Sequence, residues 1–308
     1  MARTTDHKDQ NPMIYVFISN GSRVALSVPQ ALPSVRALCA ALIFLLFQQH
    51  ANAGLMLYPT RIVFDKNVRA AQLELINNGT DTATYRISLV NRRMGDSGEF
   101  TPADIAAPGE PFADDLLRFS PRQITLAPGV AQTVRIMLRK PAGLPVGEYR
   151  SHLQFDKLPE AKGGTSIEAQ GSADGKDIGI ALTALIGVSV PVIVRHGDTS
   201  ASVGLSHLAL PAPGPDHVQF LALQLDRSGN RSVYGDLIVG FTPQGGAERI
   251  IGKAGGVALY AANALRRAKL VLQPAAGVSL THGRLRVIYS EPAEAGGKVL
   301  AEAFLTLP

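Results

Sequence analysis

Residues 178–194 read IGIALTALIGVSVPVIV, seventeen residues without a charge. A bilayer-spanning helix needs about 20 apolar residues, with a lower limit of about 17, so length alone leaves a membrane helix open. The even positions all carry Ile, Leu or Val except Ala184, whereas the odd positions are mostly small. Such a period of two is typical of a β-strand, and Pro191 also disfavours a helix. We therefore predict a strand, although seventeen residues is about three times the usual strand length.

The rest of the chain also favours short strands. Its 308 residues suffice for about two domains, and 30 glycines and 20 prolines interrupt it without long stretches of helical spacing. A partial repeat divides it: Leu73-x-Leu75, Gly79 and Tyr85 are echoed by Leu223-x-Leu225, Gly229 and Tyr234. We predict an all-β protein of two homologous β-sandwiches of about seven strands each, over residues 54–196 and 197–308, with a flexible loop at 160–177.

The first 53 residues have the character of a signal peptide and leader. Arg36 precedes eleven apolar residues, ALCAALIFLLF, and Ala51-Asn52-Ala53 matches a small-x-small cleavage site. The apolar run is too short for a membrane span, so we predict cleavage near Ala53, export, and no stable membrane insertion. Cys39 is the only cysteine, so the mature chain has none and its cores must fold without disulfides.

Motifs of catalysis and of metal binding are absent from the sequence. The histidines of the predicted mature chain are not spaced as metal ligands, and we expect them to face solvent. They are His152, His196, His207, His217 and His282. Neither a Gly-x-Ser-x-Gly elbow nor a phosphate-binding loop occurs, and no carboxylate pair is placed for acid–base work. The formal net charge of +5 comes without a basic block. We therefore predict that the protein is not an enzyme, that it binds neither a cofactor nor a metal, and that it has no nucleic-acid partner.

One charged residue stands out, Arg61 in LYPTRIVFD at 57–65, within the first predicted strand. An arginine there can simply discourage edge-to-edge aggregation. Alternatively, its guanidinium can point between the two domains and bind a carboxylate through two parallel hydrogen bonds. The residues around it leave both interpretations open.

Several segments together resemble the periplasmic chaperones of chaperone–usher pilus assembly. The similarity is strong from about residue 57 to 158 and weaker beyond Arg195, and the pattern from Pro121 to Arg135 is its most specific part. The segments are TRIVFD, LINNGTDTATY, FSPRQITLAPGVAQTVRIM, LPVGEYRSHLQF and the long apolar strand that ends in Val-Arg. This resemblance implies two immunoglobulin-like domains in a boomerang arrangement.

The resemblance also implies a function. Such chaperones bind pilus or fimbrial subunits that lack a strand, lend them a donor strand, and deliver them to an outer-membrane usher without ATP. By position, Arg61 matches the anchor for the subunit carboxylate, and Arg195 matches an interdomain ion-pair residue, with Glu148 as its partner. The donated row matches Ile180, Leu182, Ala184, Ile186 and Val188.

Two further points accompany the resemblance. Family members carry a lysine near the end of the donor strand, but this sequence has no basic residue between Lys176 and Arg195, which leaves Arg150 or His152 as substitutes. The exposed apolar edge also predicts a self-capping homodimer of the free chaperone. The alternative function is a secreted two-domain immunoglobulin-like module with a structural or adhesive role.

Overall fold

The computed structural model describes residues 54–159, 187–214 and 217–308, and the regular secondary structure of these residues is almost entirely β-strand. The strands of the N-terminal part are β1 (Met56–Tyr58), β2 (Ile62–Phe64), β3 (Ala70–Ile76), β4 (Ala83–Val90), β5 (Arg92–Met94), β6 (Phe100–Pro102), β7 (Leu117–Ser120), β8 (Gln123–Leu126), β9 (Ala131–Leu138), β10 (Gly147–Lys157) and β11 (Gly187–His196). The strands of the C-terminal part are β12 (Ala201–Ala209), β13 (Phe220–Gly229), β14 (Val233–Pro243), β15 (Arg249–Leu259), β16 (Leu265–Val271), β17 (Gly283–Ser290) and β18 (Val299–Leu307). Two short 3-10 turns cover Asp114–Leu116 and Ala293–Ala295.

Strands β1 to β11 build the first sandwich and one added hairpin. A four-stranded sheet has the order β1-β3-β9-β7 and packs on a five-stranded sheet of order β2-β11-β10-β4-β8, while β5 and β6 pair separately. The alternation read from the sequence sets the inner faces: Leu73 and Leu75 of β3, Val134 and Ile136 of β9, and Phe155 of β10 are all buried in this core.

The chain changes sheets at the start of the first sandwich. Strand β1 pairs antiparallel with β3, whereas β2 pairs parallel with β11 through Val192, Ile193 and Val194. Between them, the Tyr58–Pro59 peptide is cis and Arg61 directly precedes β2. Arg61 therefore lies at the crossing point and not within a strand.

Strands β12 to β18 build the second sandwich. A three-stranded sheet of order β12-β13-β16 faces a four-stranded sheet of order β15-β14-β17-β18. Its core holds Leu223 and Leu225 of β13, Val239 and Phe241 of β14, and Tyr289 of β17. This sandwich has the predicted seven strands. The first part has eleven strands, because two of its segments change sheets and are each split in two, β1 with β2 and β7 with β8, and the β5–β6 hairpin is added.

Side chains of the first sandwich extend into the core of the second. Val63 of β2, Met94 of β5 and Ile193 of β11 pack with its apolar cluster. In addition, the Asn263 side chain donates to the Met94 carbonyl at 2.8 Å.

The strand order and the two packed pairs of sheets confirm the predicted all-β fold of two immunoglobulin-like β-sandwiches. No helix among the described residues is long and apolar enough to cross a membrane.

Candidate functional site at the junction of the two sandwiches

Arg61 reaches from the first sandwich to residues of the second. Its Nη2 donates to Ser232 Oγ at 2.9 Å, and its guanidinium carbon lies 4.8 Å from the ring centroid of Tyr234 and 5.9 Å from that of Tyr260. Such cation–π distances are favourable within about 6 Å. Burial lowers the pKa of Arg61, and the nearby tyrosines and Glu148 offset this only in part.

The Nη1 nitrogen of Arg61 is buried without a hydrogen-bond partner. Among the described residues, no carboxylate forms an ion pair with Arg61 either. Buried donors are nearly always satisfied in folded proteins, and leaving one unpaired costs about 1–3 kcal/mol. Arg61 is therefore a desolvated cation with a free donor, which is the arrangement that an anionic ligand would satisfy.

A chain of hydrogen bonds links Arg61 to Arg195 at the end of β11. Asp65 accepts from Arg195 Nη1 at 3.3 Å, and Arg195 Nε donates to Glu148 Oε2 at 3.0 Å. The other oxygen of Glu148 accepts from the backbone N–H of Ser232 at 3.1 Å, and the Ser232 hydroxyl accepts from Arg61. The structure thus brings Arg61, Glu148 and Arg195 together, with Ser232 as the connecting residue.

The outward face of β10 carries an unusual row of buried polar groups, Glu148, Arg150, His152 and Gln154. Arg150 Nη2 donates to the Arg92 carbonyl at 2.8 Å and lies 3.5 Å from Glu110, and its guanidinium carbon is 3.9 Å from the Tyr260 ring centroid. Burial lowers the pKa of Arg150. Its Nη1 is a second buried nitrogen without a partner.

The expectation that His152 faces solvent is wrong. Its side chain is 2% exposed, and the ring packs edge-on against Phe100 at 5.3 Å. Burial, reinforced by the positive charges of Arg150 and Arg92, lowers the pKa of His152 to about 3. The imidazole is therefore neutral near pH 7, and sequence spacing gave no sign of this because it depends on what covers β10.

The predicted donor row lies mostly outside the described residues. The structure does not describe residues 160–186, which include the predicted loop at 160–177 and Ile180, Leu182, Ala184 and Ile186. Val188 is described: it lies on β11 opposite Phe155 of β10 and is 38% exposed. Further along β11, Val190, Val192 and Val194 enter the core of the first sandwich, as the even-numbered alternation predicts.

Strand β11 has one open edge. It pairs with β10 along its whole length, but β2 covers its other side only at residues 192–194. Residues 187–191 therefore have no strand beside them on that side within the described part of the chain. An unpaired edge of this kind can accept a strand from another chain.

Sequence reasoning missed the contributions of the second sandwich, namely Ser232, Tyr234 and Tyr260. The sequence repeat aligns Tyr234 with Tyr85, yet Tyr85 is buried in the core of the first sandwich whereas Tyr234 contacts Arg61. No local pattern could have identified these residues, because each depends on the packing of one sandwich against the other. The described residues contain no group of three or more side chains suited to hold a metal.

Comparisons with known proteins give matches only among solved structures, since no family model and no curated protein matches the chain. The Pseudomonas aeruginosa CupB2 chaperone is 12% identical, with a TM-score of 0.40, over 82% of this chain and 100% of that one. The E. coli chaperone DraB is also 12% identical, with a TM-score of 0.38, over 82% and 96% of the two chains.

A third match is a chain of the CsuC–CsuE chaperone–tip adhesion subunit pre-assembly complex, from the archaic chaperone-usher Csu pili of Acinetobacter baumannii. It is 11% identical, with a TM-score of 0.40, over 83% of this chain and 98% of that chain. All three structures are of chaperones or of a complex that contains one.

Proposed function

We propose that this protein is a periplasmic chaperone of pilus assembly, which binds fimbrial subunits by donor-strand complementation and delivers them to an outer-membrane usher. The proposal starts from the sequence motifs between residues 57 and 158 and from the predicted signal peptide, whose cleavage is expected near Ala53. It requires neither a cofactor nor a catalytic group, in keeping with a sequence that offers no catalytic motif.

The observation that carries the proposal is the state of Arg61. This arginine is held between the two sandwiches with a buried donor that has no partner and with no ion-paired carboxylate among the described residues. A chain-terminal carboxylate of a subunit would supply the missing charge and hydrogen-bond acceptors. Arg195 and Glu148, in this proposal, fix the two sandwiches on either side of that anchor.

The open edge of β11 supports the donor-strand part of the proposal. A subunit strand placed beside residues 187–191 would continue the sheet by backbone hydrogen bonds. The alternating row Ile180, Leu182, Ala184, Ile186 and Val188 would then fill pockets of the incomplete subunit. In the free protein, the same edge would pair with a second copy, giving the self-capping homodimer.

A pull-down from the periplasm of the native host tests the anchor. The tagged wild-type protein should co-purify with a small β-rich subunit, identified by mass spectrometry, and Arg61→Ala should lose it. Arg135→Ala is the matched control, because this exposed arginine lies on β9 and forms no ion pair among the described residues.

Two results would count against the proposal. Retention of the subunit by a folded Arg61→Ala variant would remove Arg61 from the mechanism. Absence of any stoichiometric subunit with the wild-type protein would favour the alternative, a secreted structural or adhesive module.

A further inference from the structure

Ser232 occupies a central place at the junction of the two sandwiches. It lies in the turn between β13 and β14 and is only 3% exposed. Its backbone N–H is fixed by Glu148 at 3.1 Å, while its hydroxyl oxygen accepts from Arg61 at 2.9 Å. Two residues of the first sandwich thus hold this one serine of the second.

The hydroxyl of Ser232 retains an unused donor. A serine hydroxyl offers one O–H donor as well as acceptor lone pairs. Its bond with Arg61 uses only the acceptor side, because a guanidinium has donors and no acceptor. Among the described residues, the Ser232 hydroxyl donates to no acceptor, so its proton remains free, as does Nη1 of Arg61.

We infer that Ser232 is the second ligand of the anion bound by Arg61, and that this anion is a carboxylate. The inference rests on the proposed function and adds to it a residue from the second sandwich. The free N–H and the free O–H belong to groups that are hydrogen-bonded to each other at 2.9 Å, so the two oxygens of one carboxylate could accept from both. Arg61 also has no ion-paired carboxylate among the described residues, and a carboxylate ligand would supply one.

Arg150 fits this second position less well. Its guanidinium already lies against the Glu110 carboxylate and donates to the Arg92 carbonyl. Its charge is therefore partly neutralised within the first sandwich. Ser232, by contrast, is in direct contact with Arg61, so ligand binding by this pair would join the two sandwiches at one point.

Titration of the mature, 15N-labelled protein tests the inference, with N-acetylalanine as the carboxylate probe and N-acetylalaninamide as its neutral counterpart. The wild-type protein should bind the carboxylate at least about 10-fold more tightly than the amide. Ser232→Ala should weaken carboxylate binding by about 10-fold, because a hydrogen bond to a charged group is lost, and should leave the amide unaffected. Since Ser232→Ala keeps the backbone bond to Glu148, its amide spectrum should remain that of a folded protein.

Matched variants separate the hydroxyl from other effects. Ser232→Thr keeps the hydroxyl and should retain the preference for the carboxylate. Ser232→Cys has only a weak donor and should reduce that preference, and it serves if the alanine variant does not fold. Ser228→Ala removes a hydroxyl that pairs with Ser202 on the surface, and it should bind both probes as the wild-type protein does.

The outcomes distinguish this inference from the proposed function. Equal binding of both probes by the wild-type protein would contradict the carboxylate anchor itself. A preference that disappears in Arg61→Lys but persists in Ser232→Ala would leave the anchor intact and overturn the role of Ser232. A preference that disappears in Arg150→Gln instead would assign the second ligand to β10.

Discussion

At the residue scale, Arg195 and Glu148 form a buried ion pair in which each side chain neutralises the charge of the other. Both Glu148 oxygens accept hydrogen bonds, and its side chain is almost inaccessible. Glu148→Gln should lower the free energy of unfolding by about 3–5 kcal/mol, because it leaves the Arg195 charge buried with one weak partner. Urea denaturation measures this loss.

Asp65 provides the control for that prediction, since it contacts the same arginine but is 42% exposed. Asp65→Asn should cost about 1 kcal/mol or less, as exposed ion pairs usually do. Equal losses for the two variants would contradict the assignment of Glu148 as the principal partner.

His152 predicts a specific pH dependence of stability. The unfolded chain takes up a proton near pH 6.5, whereas the folded pKa of about 3 keeps the imidazole neutral. The stabilisation is therefore complete above pH 6.5 and falls as the pH decreases towards 3, with a slope of up to about 1.4 kcal/mol per pH unit.

His152→Gln should reduce this slope, measured as the free energy of unfolding between pH 6.5 and 4. His282→Gln is the control, because His282 is exposed. An unchanged slope in His152→Gln would show that His152 is not the group responsible.

At the element scale, the apolar segment 178–194 keeps one alternation of large and small residues, and β11 is its described part. Its described part places Val190, Val192 and Val194 in the core of the first sandwich. The same parity continues back through Leu182, which lies outside the described residues. The period of two thus predicts which residues of the segment share a face. Under the proposed function, residues before β11 on this face contact a pilus subunit.

That parity gives a test of the donor strand. Leu182→Asp should abolish recovery of the subunit in the pull-down, because a carboxylate cannot fill an apolar pocket. Thr183→Asp changes the adjacent residue on the opposite face and should retain the subunit. Equal recovery of the subunit by the two variants would contradict the insertion of alternate side chains into the subunit.

At the scale of the whole molecule, the β5–β6 hairpin links the two sandwiches. Met94 is 3% exposed within the second core, and the Arg267 N–H donates to the Asp96 carbonyl at 2.6 Å. Met94→Ala should destabilise the protein by about 2–5 kcal/mol through loss of burial and the cavity it leaves.

Calorimetry of this variant should show the second sandwich melting at a lower temperature. Met137→Ala is the control, since Met137 is 62% exposed on β9. A similar shift in both variants would show that Met94 contributes little to the contact between the sandwiches.

The sequence alone predicts two β-sandwiches and the inner faces of their main strands, because a period of two depends only on neighbouring residues. It also singled out Arg61, and the resemblance paired Arg195 with Glu148. The surroundings of these residues follow from the packing of the two sandwiches: the buried His152, the free donor of Arg61, and the contacts from Ser232, Tyr234 and Tyr260. Those features arise where residues distant in the chain exclude water together, and no local pattern encodes that packing.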